Sequence, residues 1–233
     1  MSDRTWLDVP FAEKDAAKAA GARWDPEAKR WWAPPGREQN LAQWQPLPPL
    51  ADPLPGEDRN FGTGLFVDLV PSSCWFTNVR SCVSPGDWDR LRRLVYGRAD
   101  NRCEACGSLA DPSQALYLEA HERWSYDDVT HVQALRRLIC LCSACHLSTH
   151  MGFANVRGRT EEATAHLMAV NNWTRTVADE HISAAFDLWA IRSRADWTLD
   201  LGMLSTVGVT VQRPPERGQR RGIAKDTLGQ QDQ

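Results

Sequence analysis

Two C-x2-C pairs, Cys103-Glu104-Ala105-Cys106 and Cys142-Ser143-Ala144-Cys145, constrain this chain more than any other feature. Each pair closes a short loop that brings two thiolates to one ion, and four thiolates complete the closed tetrahedral shell of a structural Zn2+. Two pairs of buried cysteines, or a redox pair, would use the same residues. Small residues inside both loops, and Gly107 after the first, favour metal knuckles. The segment between the pairs has room for two strands. Cys74, Cys82 and Cys140 lack such a partner pattern and are expected as buried side chains.

Four of the six histidines lie between residues 121 and 150. A helix starting near Ser143 would project His146 and His150 from one face, a turn apart, as two imidazoles on one ion require. His121 follows the mostly apolar run 115–120, which reads as a strand, and it can supply a third ligand. Three clustered imidazoles are costly unless each finds a hydrogen-bond partner or an ion, which argues for a bound metal. His131 falls in the loop 127–131, where a histidine is usually solvated.

Outside this region the chain divides into three. Residues 1–44 alternate into a short strand, a helix from about Ala12 to Ala20 capped by Gly21, and two strands flanking the turn 25–29, a small β-α-β-β unit. Residues 45–64 carry five prolines and read as a linker. Residues 65–210 hold the metal region, starting with an expected strand at 65–71. Ser84-Pro85-Gly86-Asp87 opens a helix to about Gly97. Beyond the metal region, Thr160 caps one helix and a second runs from about Arg175 to Arg194, the two packing as a hairpin. The tail 211–233, rich in Pro, Gly, Gln and Arg, is expected to be disordered. The fold class is therefore α+β.

The net charge of −3 counts against a protein that coats DNA wholesale, so a nucleic-acid site has to be a local basic patch. Arg90, Arg92, Arg93 and Arg98 on the helix after Ser84, with Arg80 and Arg102 nearby, form the best one. A solvated helix face explains the same residues. In the N-terminal unit Trp24, Lys29, Arg30, Trp31 and Trp32 can stack bases and touch phosphate, although tryptophans in so small a unit usually supply its core. The N-terminus has neither a basic segment nor an apolar one of the secretory kind, and no apolar run reaches membrane-spanning length, so a cytoplasmic protein is expected.

The stretch VPFAEKDAAKAAGARWDPEAKRWW resembles DUF5710, a small domain of unknown function appended to bacterial plasmid and DNA-processing proteins. The order C-x2-C, strand, His, strand, C-x2-C-His, helix with His resembles the HNH endonucleases across roughly residues 85–152. That resemblance implies a ββα-metal core stapled by the four-cysteine zinc and flanked by helices. It also implies hydrolysis of phosphodiester bonds in DNA with a divalent ion, Mg2+, Mn2+ or Zn2+, held by His121, His146 and His150. Glu122 falls where the family has its general-base histidine, and Arg137 where it has an asparagine. Glu122 is then the expected base and Arg137 a group that stabilises the transition-state phosphate, with Arg123 and Arg136 as further phosphate contacts. In a register shifted by one, His121 is the base and Glu119 a metal ligand. Two other readings stand beside the nuclease: an HNH-like module that binds nucleic acid without cleaving it, and a zinc-stapled protein-interaction module.

Overall fold

The computed structural model describes residues 4–75 and 77–212. The chain divides into two compact units, Met1–Pro49 and Leu50–Gln233. The first contains β1 (Thr5–Leu7), a 310 turn, α1 (Lys14–Ala19), β2 (Arg23–Asp25) and β3 (Arg30–Ala33), with β3 central and antiparallel to both neighbours. The Asp25 carboxylate closes the β2–β3 turn by accepting from the N–H groups of Glu27 and Ala28, both at 2.9 Å. Leu7, Ala17, Ala22, Ala33, Leu41 and Trp44 form its core.

The second unit contains α2 (Val79–Cys82), α3 (Pro85–Arg98), β4 (Leu118–Asp127), β5 (Val132–Cys142), α4 (Ser143–Thr149), α5 (Met151–Val156), α6 (Thr160–Asn171), α7 (Arg175–Arg192), β6 (Thr198–Asp200) and α8 (Gly202–Ser205). Ser84 caps α3 by accepting from the Asp87 N–H at 3.1 Å, with Pro85 at the first helical position. β4 and β5 form a long antiparallel hairpin, and β6 joins β5 in parallel. Strand alternation gives the hairpin two buried faces. Trp124, Leu135, Leu138 and Cys140 pack toward α2, α3 and α8, while Ile139 and Leu141 pack toward α4, α5 and α6. The architecture is mixed α and β, built on two small sheets. Among the described residues no helix is long and apolar enough to cross a membrane.

Several local expectations differ from what is found. Residues 65–71 form no strand: the Val67 N–H donates to His181 Nε2 and the Asp68 N–H to the Thr149 carbonyl, so the donors are spent on single partners rather than a ladder. The proline-rich stretch 45–64 is not extended linker throughout. From Leu50 it belongs to the second unit, where Leu54 is buried and Glu57 reaches into the core. The strand read at 115–120 lies instead at Leu118–Asp127, which puts His121 inside it. Thr160 is the first residue of α6, with Arg159 at the cap position and no side-chain cap. Of the expected disordered tail, residues 213–233 lie outside the described residues.

Candidate metal centres

One sulfur from each of Cys103, Cys106, Cys142 and Cys145 lies within 4.8 Å of the other three. Cys106 and Cys142 Sγ are 3.7 Å apart, close to the ~3.8 Å edge of a tetrahedron with ~2.3 Å zinc–sulfur bonds. Gly107, at φ +77°, supplies the left-handed turn behind the first pair, its N–H donating to the Cys103 carbonyl at 2.8 Å. The second pair caps α4, with the Cys145 N–H donating to Cys142 Sγ at 3.5 Å. So many sulfurs cannot all be thiolates without a cation. Hydrogen bonds from Cys142 and Cys145 hold the Cys103 thiol far below its ordinary range, while Cys142 is pushed up to about 11 and Cys145 higher still. The donor set therefore fits one Zn2+.

Glu104, inside the first knuckle, fastens the loop to the hairpin. Its carboxylate accepts from the Cys140 N–H, from Arg59 and from Arg137, each at 2.8 Å. Arg137 is thereby buried and committed to the knuckle, with a second bond to the Phe61 carbonyl. That is a different position from the phosphate contact expected of it.

His121, His146 and His150 form a second cluster, with candidate ligand nitrogens all within 4.8 Å and ring centroids 4.5 to 5.3 Å apart. His121 comes from the middle of β4, opposite Ile139, and the other two from α4 and its C-cap. Both ring nitrogens of His121 are buried and, among the described residues, have no hydrogen-bond partner. An imidazole with no hydrogen-bond partner, one nitrogen of which lies within 4.8 Å of ligand atoms of His146 and His150, fits an ion bound through that nitrogen. Burial drives the His121 pKa well below its ordinary value and that of His150 down to about 3, with the Arg123 guanidinium adding to both. Both rings are therefore neutral, the form that ligates metal. His146 Nδ1 lies 3.0 Å from Glu119 Oε2. An Nδ1–H donated to that carboxylate leaves His146 Nε2 as the free ligand atom.

Glu122 is not part of this cluster. It pairs with Leu138 on the opposite face of the hairpin, because successive residues of a strand point to opposite sides. Its carboxylate accepts from the Val79 N–H at 3.0 Å, at the start of α2, and desolvation raises its pKa. The expectation that Glu122 shares a site with His121 is corrected accordingly. Arg123 does share the histidine face. Its buried side chain lies over the Phe66 ring at 4.0 Å, donates to the Gly64 carbonyl and pairs with Asp68 at 3.5 Å. His131 lies in the β4–β5 turn, edge-on to Trp197.

The arginine patch is dispersed by its own partners. Arg98 is buried, doubly bonded to Glu57 and bonded to the Leu138 carbonyl, so it belongs to the core. Arg90 pairs with Asp87, Arg92 and Arg93 both pair with Asp89, and Arg102 donates to the Gly107 carbonyl. Arg80 is exposed on α2. Glu119, a metal ligand in the shifted register, instead contacts His146, and His166 is a residue that the sequence does not single out. His166 on α6 places Nε2 3.1 Å from Cys145 Sγ, a pairing across 21 residues that no local spacing announces.

Residues 4–46 match the family described as Domain of unknown function (DUF5710). The chain is also similar to two proteins from Escherichia coli, each named DNA primase TraC. One is 44% identical over 43 residues, covering 18% of this chain and 3% of the relative. The other is 38% identical over 66 residues, covering 27% and 6%. The chain thus spans only a small fraction of the relatives it matches. No solved structure matches. The N-terminal unit is the part that the family match identifies, whereas the cysteine and histidine clusters stand on their own geometry.

Proposed function

We propose that the second unit is an HNH-type, metal-dependent endonuclease that hydrolyses phosphodiester bonds in DNA. The supporting observation is the meeting of His121, His146 and His150, with both nitrogens of a buried His121 unsatisfied, beside a separate four-thiol cluster. A structural zinc with four thiolates has no use for three further imidazoles.

A divalent ion held by these histidines would supply Lewis-acid stabilisation of charge on a phosphodiester. The chain's own groups prepare the site. Burial keeps His121 and His150 unprotonated, Glu119 orients His146, and the Arg123 guanidinium adds positive potential from within the fold. The similarity of a 43-residue stretch of the chain to a protein named DNA primase TraC agrees with a DNA-directed role.

The position of Glu122 favours a second reading, an HNH-like module that binds nucleic acid without cutting. The carboxylate at the family's general-base position accepts from the Val79 N–H at the start of α2, on the strand face opposite the one that carries His121. Nicking of supercoiled plasmid with Mg2+, Mn2+ or Zn2+ separates the two. The nuclease reading expects chelator-sensitive nicking, lost in His146→Ala and retained in Glu122→Gln. Plasmid binding without nicking under all three ions would establish the second reading in its place.

A further inference from the structure

We propose that the open face of the N-terminal sheet binds single-stranded nucleic acid, with bases stacking on Trp6 and Trp32 and phosphates pairing with Arg4, Arg23 and Arg30. This surface lies in a different unit from the histidine cluster and does not rest on the nuclease reading.

The two faces of the three-stranded sheet differ. Register pairs Leu7 with Trp31 and Trp31 with Trp24, and this face carries Leu7 and Ala33 into the core with α1. The other face pairs Trp6 with Trp32 and Trp32 with Arg23, a row crossing all three strands. Neither Trp6 nor Trp32 belongs to the core cluster, and both are partly exposed. Arg4 lies over the Trp32 ring at 4.9 Å and Arg30 over the Trp6 ring at 5.5 Å. A cleft lined by Thr5, Trp6, Arg30, Glu38, Gln45 and Pro46 opens at the Trp6 end.

An aromatic ring with a cation beside it is what a single strand needs, a π-face for the base and a positive charge for the next phosphate. The sheet face carries three arginines, of which Arg4 pairs with Asp25, Arg30 pairs with Asp8 and Arg23 is exposed, while Glu38 adds a carboxylate at the cleft. The Arg30–Asp8 pair is exposed and 3.5 Å long, so a phosphate can compete for the guanidinium at little cost. Duplex DNA hides its base faces and cannot use the rings, which makes the predicted preference one for single strands. Of the residues the sequence singled out, Trp32 and Arg30 lie on this face, whereas Trp24 and Trp31 sit edge to face at 5.5 Å on the side bearing the core.

The test is fluorescence anisotropy of labelled dT15 and U15 with the full chain, without added divalent ion, at low and moderate salt. Binding to either oligonucleotide, weakened about tenfold by Arg4→Glu, Arg30→Glu or Trp32→Ala and by rising salt, supports the platform. Trp24→Ala should stay within about twofold of the parent, and circular dichroism checks that each variant folds. Unchanged affinity in folded Arg30→Glu or a preference for duplex would overturn it.

Discussion

Glu119 Oε2 lies 3.0 Å from His146 Nδ1, and the two residues come from different elements, one from β4 and one from α4. The contact ties the strand that carries His121 to the helix that carries the other two imidazoles. Glu119→Gln keeps the shape and removes the charge, and an outer carboxylate of this kind is worth about 10–100-fold in metal affinity. Calorimetric titration with Mn2+ or Zn2+, after the thiol site is filled, should show that loss in Glu119→Gln and none in Glu122→Gln. Equal affinities in the two variants would remove Glu119 from the site.

The four-thiol clamp holds the knuckle, the end of β5 and the start of α4 together. Cys145→Ser should therefore lower zinc content below one equivalent of the clamp. It should also cost at least about 3 kcal/mol, a fall in Tm of about 10 °C for a chain of this size. Metal analysis and a thermal melt test this. A variant with full zinc and an unchanged melt would show that Cys145 is a buried thiol only.

His121 and His150 have pKa values depressed by burial, that of His150 to about 3. The unfolded chain, with histidines near 6.5, takes up protons before the folded one does. Their contribution to stability is thus complete above pH 6.5 and lost as pH falls below it, by up to about 1.4 kcal/mol per pH unit for each histidine. Glu122, with a raised pKa, acts in the opposite sense above its ordinary 4.5. Urea unfolding at pH 7.5, 6.5 and 5.5 without added divalent ion should show a shallower pH slope in His150→Leu than in the parent. Equal slopes would mean that His150 is solvated.

Arg98 and Glu57 form a pair whose side chains are 4% and 0% exposed, and Glu57 also accepts from the Leu138 N–H. Arg98→Ala leaves a buried carboxylate uncompensated and should cost about 3–5 kcal/mol in urea unfolding. Arg93→Ala, on an exposed pair with Asp89, should stay within about 0.5 kcal/mol. If both proved neutral, Arg98 would belong to the surface after all.

Spacing made the cysteine and histidine clusters legible, because C-x2-C and the four-residue step from His146 to His150 are local patterns fixed by loop and helix geometry. The β-α-β-β order and helices α3 and α7 were legible for the same reason, through caps and periodicity. What lay beyond reach were the facts that depend on which face a strand turns inward. His121 and Glu122 are adjacent in sequence, yet β4 sends them to opposite sides. Residues 65–71 alternate like a strand but spend their donors on His181 and Thr149, partners far along the chain. Arg98 looked like part of a basic surface until Glu57, from the supposed linker, met it in the core.

The helix α4 begins on Cys142, turns Cys145 into the sulfur cluster and, within one further turn, delivers His146 and His150 to the other. On the proposed reading, occupancy at the two sites is coupled through this helix. Oxidising or stripping the thiols frees the base of the one helical turn that aligns two imidazoles, so ions are expected to load in sequence, sulfur site first. If both clusters hold ions as proposed, zinc starvation would leave the histidine cluster unaligned, however much magnesium or manganese surrounded it.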